Sequence, residues 1–138
     1  MTKKLKSLFM YEIEKDRLHN APEKSVRARG RARIVPESEK TLEAKLRKEV
    51  EKRGGMAIKL LSQLHRGLPD RMVLLPGGLQ YFVEMKTTGE KPTRLQAHCH
   101  QQLRALGFTV CVVDSTEALE NFLFIVDCER LERANDAR

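Results

Sequence analysis

Asp70, Glu84 and Lys86 are polar residues in places where a buried sheet would not be expected to take them. Asp70 follows Pro69 and opens the apolar run RMVLL (71–75), while Glu84 and Lys86 stand two apart near the end of LQYFVEMK (79–86). Residues i and i+2 leave a strand on the same face, so Glu84 and Lys86 point to one side. Pro76-Gly77-Gly78 between the runs is a hairpin signal, and such a hairpin brings Asp70 beside Glu84. Two carboxylates and an ammonium then converge at one end of a sheet. That grouping suits metal-assisted phosphodiester hydrolysis. Mg²⁺ takes hard oxygen ligands and keeps several waters, so two carboxylates, a backbone carbonyl and the scissile phosphate suffice. The ion polarises the phosphoryl oxygen and lowers the pKa of a bound water. A nearby Lys can orient that water and offset charge developing on the phosphate. One acid on a neighbouring helix would add a ligand or a general base. The competing reading is structural, a strand-end salt bridge between Glu84 and Lys86.

The elements that must position this group can be read from periodicity. Ser38 caps a helix whose Leu42, Leu46 and Val50 recur every four residues on an otherwise charged surface. Gly54-Gly55 ends it. MAIKLL (56–61), RMVLL and LQYFVEMK read as three strands. A second helix is expected near 93–106, with Leu95, Leu103 and Leu106 on its apolar side and Gly107 as its stop. FTVCVV (108–113) is nearly continuous in apolar residues, as in a strand covered on both faces. Ser115 caps a short helix with Ala118, Leu119 and Phe122, and a polar tail from Cys128 to the last residue, 138, is expected to fray. The order α-β-β-β-α-β-α predicts an α/β fold with a mixed central sheet flanked by helices, because the helix between the third and fourth strands permits a parallel crossover.

Composition bounds the rest. A chain of 138 residues fits one domain with a modest core. At 41% hydrophobic and 33% charged it is neither membrane-like nor compositionally disordered, and no apolar run reaches the length of a membrane span. The start, MTKKLKSLFMYEIEKDR, carries acids where a signal peptide needs its apolar stretch, so a cytoplasmic location is expected. Three scattered cysteines argue against a disulfide framework or a Cys-based zinc site. His98, Cys99 and His100 are neighbours on a helix and should point in different directions rather than at one ion. The net charge is +7. Residues 1–38 hold 10 Lys/Arg against 5 Asp/Glu, and residues 39–138 hold 16 against 14. The excess gathers around Arg27, Arg29, Arg31 and Arg33, a cluster suited to a polyphosphate backbone or to a solvated tail. Residues 1–37 thus read as a basic arm or linker with weak helical periodicity through Leu5, Phe9 and Ile13, and 38–127 as the folded domain.

The ordered pieces EKTLEAKL, KRGGMAIKL, GLPDRMVLLPGG, YFVEMKTTGEKPTRLQ and LGFTVCVVDS resemble the VRR-NUC (virus-type replication-repair nuclease) family, a branch of the PD-(D/E)xK superfamily with a restriction-endonuclease-like core. The likeness is to its stand-alone phage and bacterial members and spans about residues 39–123. It implies Asp70 and Glu84 as metal ligands with the Met85 carbonyl, Lys86 as the catalytic lysine, and Mg²⁺ or Mn²⁺ as the cofactor. It implies Glu43 as the helix acid, a catalytic group and possible ligand, with Glu39 one turn earlier as its rival. Gln96 matches a family glutamine whose amide could hold a water or phosphate. Lys59 matches a lysine expected to contact phosphate, and Arg71 either contacts DNA or pairs with Asp70. His65 and Arg66 depart from the family's usual turn before GLPD, and their charge suits DNA. The implied activity is a metal-dependent endonuclease acting on duplex or branched DNA in replication, recombination or repair. The implied setting is a bacterial or phage-infected cell, with a homodimer and a helicase as partners and no membrane. The alternative is a nucleic-acid-binding accessory protein that keeps the fold without cutting. Clustered acids that repel phosphate argue against a pure binder.

Overall fold

The structure, a computed structural model, describes residues 35–61 and 63–138. The helix expected within 1–20 and the Arg27–Arg33 cluster lie outside them. Helix α1 (Glu39–Lys52) starts at Ser38, whose side chain accepts the Thr41 N–H at 3.2 Å. Strands β1 (Met56–Lys59), β2 (Arg71–Leu75) and β3 (Leu79–Met85) follow, then helix α2 (Arg94–Ala105), strand β4 (Thr109–Val113) and helix α3 (Thr116–Asp136). The sheet runs β1-β2-β3-β4, antiparallel at its first two pairings and parallel at β3–β4. This is the mixed α/β sheet that the element order predicts. Among the described residues no helix is long and apolar enough to cross a membrane.

Strand parity decides what each face does. The odd positions Val73, Tyr81, Val83, Met85 and Val113 are buried with Leu42, Leu46 and Val50 of α1 and with Leu119, Phe122, Leu123 and Val126 of α3. The sheet and these two helices form one core, in which Tyr81 and Phe122 meet edge to face at 5.5 Å. At Gly55, between α1 and β1, a Cβ would lie 2.4 Å from the Leu74 carbonyl oxygen, so only glycine lets the chain pass that close to β2. The even positions face α2, with Phe82 against Phe108 at 5.5 Å and Glu84 beneath the helix itself.

Two expectations need correction. The polar tail from Cys128 does not fray: α3 continues to Asp136. Its polar residues are fastened to the β2–β3 hairpin, where the Tyr81 hydroxyl donates to Glu129 and Arg133 donates to the Gly77 carbonyl at 2.7 Å. Of the apolar side expected for α2, Leu103 packs but Leu95 and Leu106 do not, being 50% and 73% exposed. The helix turns Gln96, Cys99, His100 and Leu103 inward, a stripe at i, i+3, i+4 and i+7 that is half polar. A buried carboxylate demands donors, and this stripe supplies them to Glu84.

Candidate active site

The β2–β3 register pairs Arg71 with Val83 and Met72 with Phe82; one step further sets Asp70 opposite Glu84 on the α2 face. Pro69 is buried, and the Leu60 N–H donates to the Asp70 carbonyl at 2.8 Å, fixing the backbone there. One oxygen of the Asp70 side chain, Oδ2, accepts the Met85 N–H at 2.8 Å. Burial, together with hydrogen bonding to Glu84, pushes the Asp70 carboxyl up to about 6, although the Met85 N–H acts in the opposite direction.

Glu84 is 0% exposed. Its Oε1 accepts from Gln96 Nε2 at 3.0 Å and faces Lys86 Nζ at 3.5 Å, while its Oε2 faces His100 Nε2 at 3.2 Å. The Lys86 backbone N–H donates to the Val113 carbonyl at 3.0 Å, so β3 is held against β4 past its formal end. Gln96 is pinned at both ends. Its Oε1 accepts the Thr93 N–H at 2.9 Å in a capping box, which turns the amide N–H₂ toward Glu84.

The helix acids divide between two places. Glu43 pairs with Arg71 at 3.3 Å, and Arg71 also donates to the Ala57 carbonyl at 3.2 Å. Arg71 is therefore taken up on the α1 face and does not pair with Asp70. Glu39, one turn nearer the strand ends, stands within electrostatic reach of Asp70, Lys86, Glu43 and Glu90. Burial and then the Asp70 charge raise its carboxyl, against the pull of Lys86. The first turn of α1 is set by Glu37 just before it, which accepts from the Thr116 N–H at 2.7 Å and pairs with Lys45, while its own N–H donates to Thr88 Oγ1 at 3.1 Å. The Lys45 ammonium and the Thr116 hydroxyl hold the Glu37 carboxyl down to about 2.

Of the remaining candidates, Lys59, His65 and Arg66 are exposed. The loop carrying the last two leans on the start of α2, since at Gly67 (φ 87°) a Cβ would lie 2.8 Å from the Leu95 carbonyl oxygen. Arg27, Arg29, Arg31 and Arg33 lie outside the described residues. The structure therefore brings Asp70, Glu84, Lys86 and Gln96 together and sets Glu39 beside them. It also adds His100, which sequence reasoning sets aside. The signal for it is its position four residues after Gln96, on the same helix face.

The donor set can be tested against candidate metals. Among the described residues no group of three or more His, Cys, Asp or Glu side chains is arranged to hold a metal, so there is no closed cage of the zinc type. His98 is exposed while His100 is buried, so the two histidines do not share a ligand position. Two adjoining carboxylates are instead the sparse oxygen set that Mg²⁺ or Mn²⁺ accepts.

No family model matches the chain. It is 49% identical over 79 residues to "Putative nuclease p44" of Acyrthosiphon pisum secondary endosymbiont phage 1, a match covering 57% of this chain and 85% of that protein. A solved structure described as a VRR_NUC domain matches with TM-score 0.59 and 31% identity, covering 62% of this chain and 92% of that one.

Proposed function

The chain belongs to the VRR-NUC family of nucleases, and from that premise we propose that it is a divalent-metal-dependent endonuclease hydrolysing DNA phosphodiester bonds, with branched or structured DNA as its substrate. The observation that carries this reading is the pair Asp70 and Glu84, two acids set opposite each other at a sheet end, where burial first and the neighbouring Glu84 second make Asp70 hard to ionise. A cation shared by both would relieve that repulsion. Asp70, Glu84 and the Met85 carbonyl would hold Mg²⁺ or Mn²⁺, with Glu39 rather than Glu43 as the helix acid, because Arg71 already engages Glu43. When bound, the ion supplies polarisation of the phosphoryl group and an acidified water.

The chain's own residues do the rest. Lys86, on the same face as Glu84, orients the attacking water and meets the charge that develops on the phosphate. Gln96 acts on Glu84 through one N–H of its amide, which leaves the second N–H to hold a water or phosphate oxygen. Lys59, His65 and Arg66 are exposed cations or potential cations suited to flanking phosphates. On the edge strand β1, Met56 is 57% and Ile58 37% exposed, apolar surface that supports pairing with a second copy.

A panel of end-labelled linear, nicked, flapped and four-way DNAs, incubated with Mn²⁺, Mg²⁺ or EDTA, tests the proposal. The expected result is cleavage with metal, strongest on branched DNA, and none in EDTA. Binding that is indifferent to EDTA, with no cleavage under any condition, would establish the accessory-protein reading instead. Removing residues 1–36 is expected to weaken DNA binding and to flatten its salt dependence by roughly 0.9 log units per arginine that engages a phosphate. The folded domain should still melt cooperatively. An unchanged slope in filter-binding titrations would make Arg27, Arg29, Arg31 and Arg33 a solubility feature only.

A further inference from the structure

Glu84 is held on both of its oxygens by one face of α2. Gln96 Nε2 donates to Oε1 at 3.0 Å, and one helical turn later His100 Nε2 stands 3.2 Å from Oε2. His100 is 2% exposed, so this contact lies in the protein interior where water does not compete. The acceptor is a carboxylate, which places the imidazole hydrogen on Nε2. A strand glutamate has three side-chain torsions, and one donor would leave its carboxylate free to rotate about the contact. Two donors from a rigid helix, one to each oxygen, leave one orientation. The strand register sets Asp70 opposite Glu84 on the same face of the sheet, so the carboxylate fixed in this way lies beside that of Asp70.

We propose that His100 is a positioning residue for divalent-cation binding: with Gln96 it locks the Glu84 carboxylate so that Glu84 and Asp70 address the same ion. This rests on the metal-dependent reading above and adds a residue to it. Partners that orient a ligand from behind commonly change metal affinity by about 10–100-fold when removed. A residue that only satisfied a buried charge would move the melting temperature and leave the affinity alone.

The test is Mn²⁺ titration of the metal-free full-length chain, read by calorimetry or by the electron paramagnetic resonance of free Mn²⁺, with melting temperatures measured in EDTA. Wild type, Glu84→Gln, His100→Leu, His100→Gln and His100→Asn are compared. His100→Leu is expected to raise the Mn²⁺ Kd by about 10–100-fold, and to shift the metal dependence of cleavage by the same factor while its plateau recovers at saturating Mn²⁺. His100→Gln places an amide N–H₂ where Nε2 stood and is expected to retain most of the affinity. His100→Asn is too short to reach Glu84 and should behave like His100→Leu. A Kd unchanged in His100→Leu overturns the proposal. Should His100→Leu not fold, equal affinities for the Gln and Asn variants overturn it, and a gap between them supports it. Wild-type protein that binds no Mn²⁺ overturns the metal reading itself, and this inference with it. Wild type that binds, beside a Glu84→Gln that does not, upholds the metal reading, and the His100 variants then decide this inference on their own.

Discussion

Asp70→Asn is expected to lower Mn²⁺-dependent cleavage by at least about 10³-fold, while making the metal-free protein more stable at neutral pH. The two effects share a cause. Asp70 is raised from 3.8 to about 6 by burial and by Glu84. An acid whose folded pKa exceeds its unfolded value holds its proton more tightly when folded, so ionisation works against the fold. That cost is absent well below pH 3.8 and grows to its full size as pH rises through about 6. Asparagine keeps an oxygen to accept the Met85 N–H and carries no charge. After allowance for solvent screening of a half-buried group, the gain is about 1 kcal/mol, or roughly 4 °C in Tm, above pH 7 in EDTA. It should vanish near pH 3. Saturating Mn²⁺ should reverse the ranking, because it stabilises wild type by about 2.7 kcal/mol at 100 times Kd and has no complete site in the variant. Glu84→Gln should lose cleavage to the same degree but gain no stability, since its amide must fit among donors arranged for two oxygens. A cutting Asp70→Asn protein would remove Asp70 from the site. Equal melting curves from pH 3 to 8 would show that Asp70 and Glu84 do not strain one another.

The sheet and the placement of Asp70 against Glu84 are legible because they depend on local signals that reinforce each other. Strand parity, a Pro-Gly-Gly turn and a polar residue out of pattern are readable one segment at a time. Legibility fails where a tertiary contact reverses a local preference. The leucines of helix α2 suggest its packed side, yet Leu95 and Leu106 point to solvent. The stripe that does pack contains glutamine and histidine because it covers a buried carboxylate rather than an apolar sheet. The same reversal hides the last turns of α3, whose polar residues gain partners only once the hairpin is folded beneath them. Glu39 and Glu43 lie on one side of their helix and are equivalent in sequence. What separates them is Arg71, which reaches across from β2 and pairs with Glu43.

The parity that buries Glu84 also sets the terms for Lys86, two residues on. Lys86→Met is expected to lower the single-turnover rate by about 10²–10³-fold while leaving Mn²⁺ affinity unchanged or slightly improved. Methionine keeps the length and apolar stem of lysine, and the backbone at this position is fixed by the bond to the Val113 carbonyl. The fold loses an ammonium 3.5 Å from Glu84 Oε1, but Gln96 and His100 still engage both oxygens of that carboxylate. A modest fall in Tm is therefore expected rather than unfolding. Removing a positive charge from the neighbourhood of a cation site lessens repulsion, so the metal dependence should not weaken as it does on losing Asp70 or Glu84. DNA affinity should change little, since one phosphate contact among many is lost. Chemistry is what should suffer under the proposed role, in which the Lys86 ammonium meets the attacking water and the developing phosphoryl charge. Melting temperature, Mn²⁺ titration, DNA affinity and single-turnover cleavage on this one variant separate the possibilities. A stable protein that binds metal and DNA but scarcely cuts assigns Lys86 to catalysis. One that cuts at the wild-type rate sinks that role, and one that fails to fold makes Lys86 the structural counter-ion of Glu84.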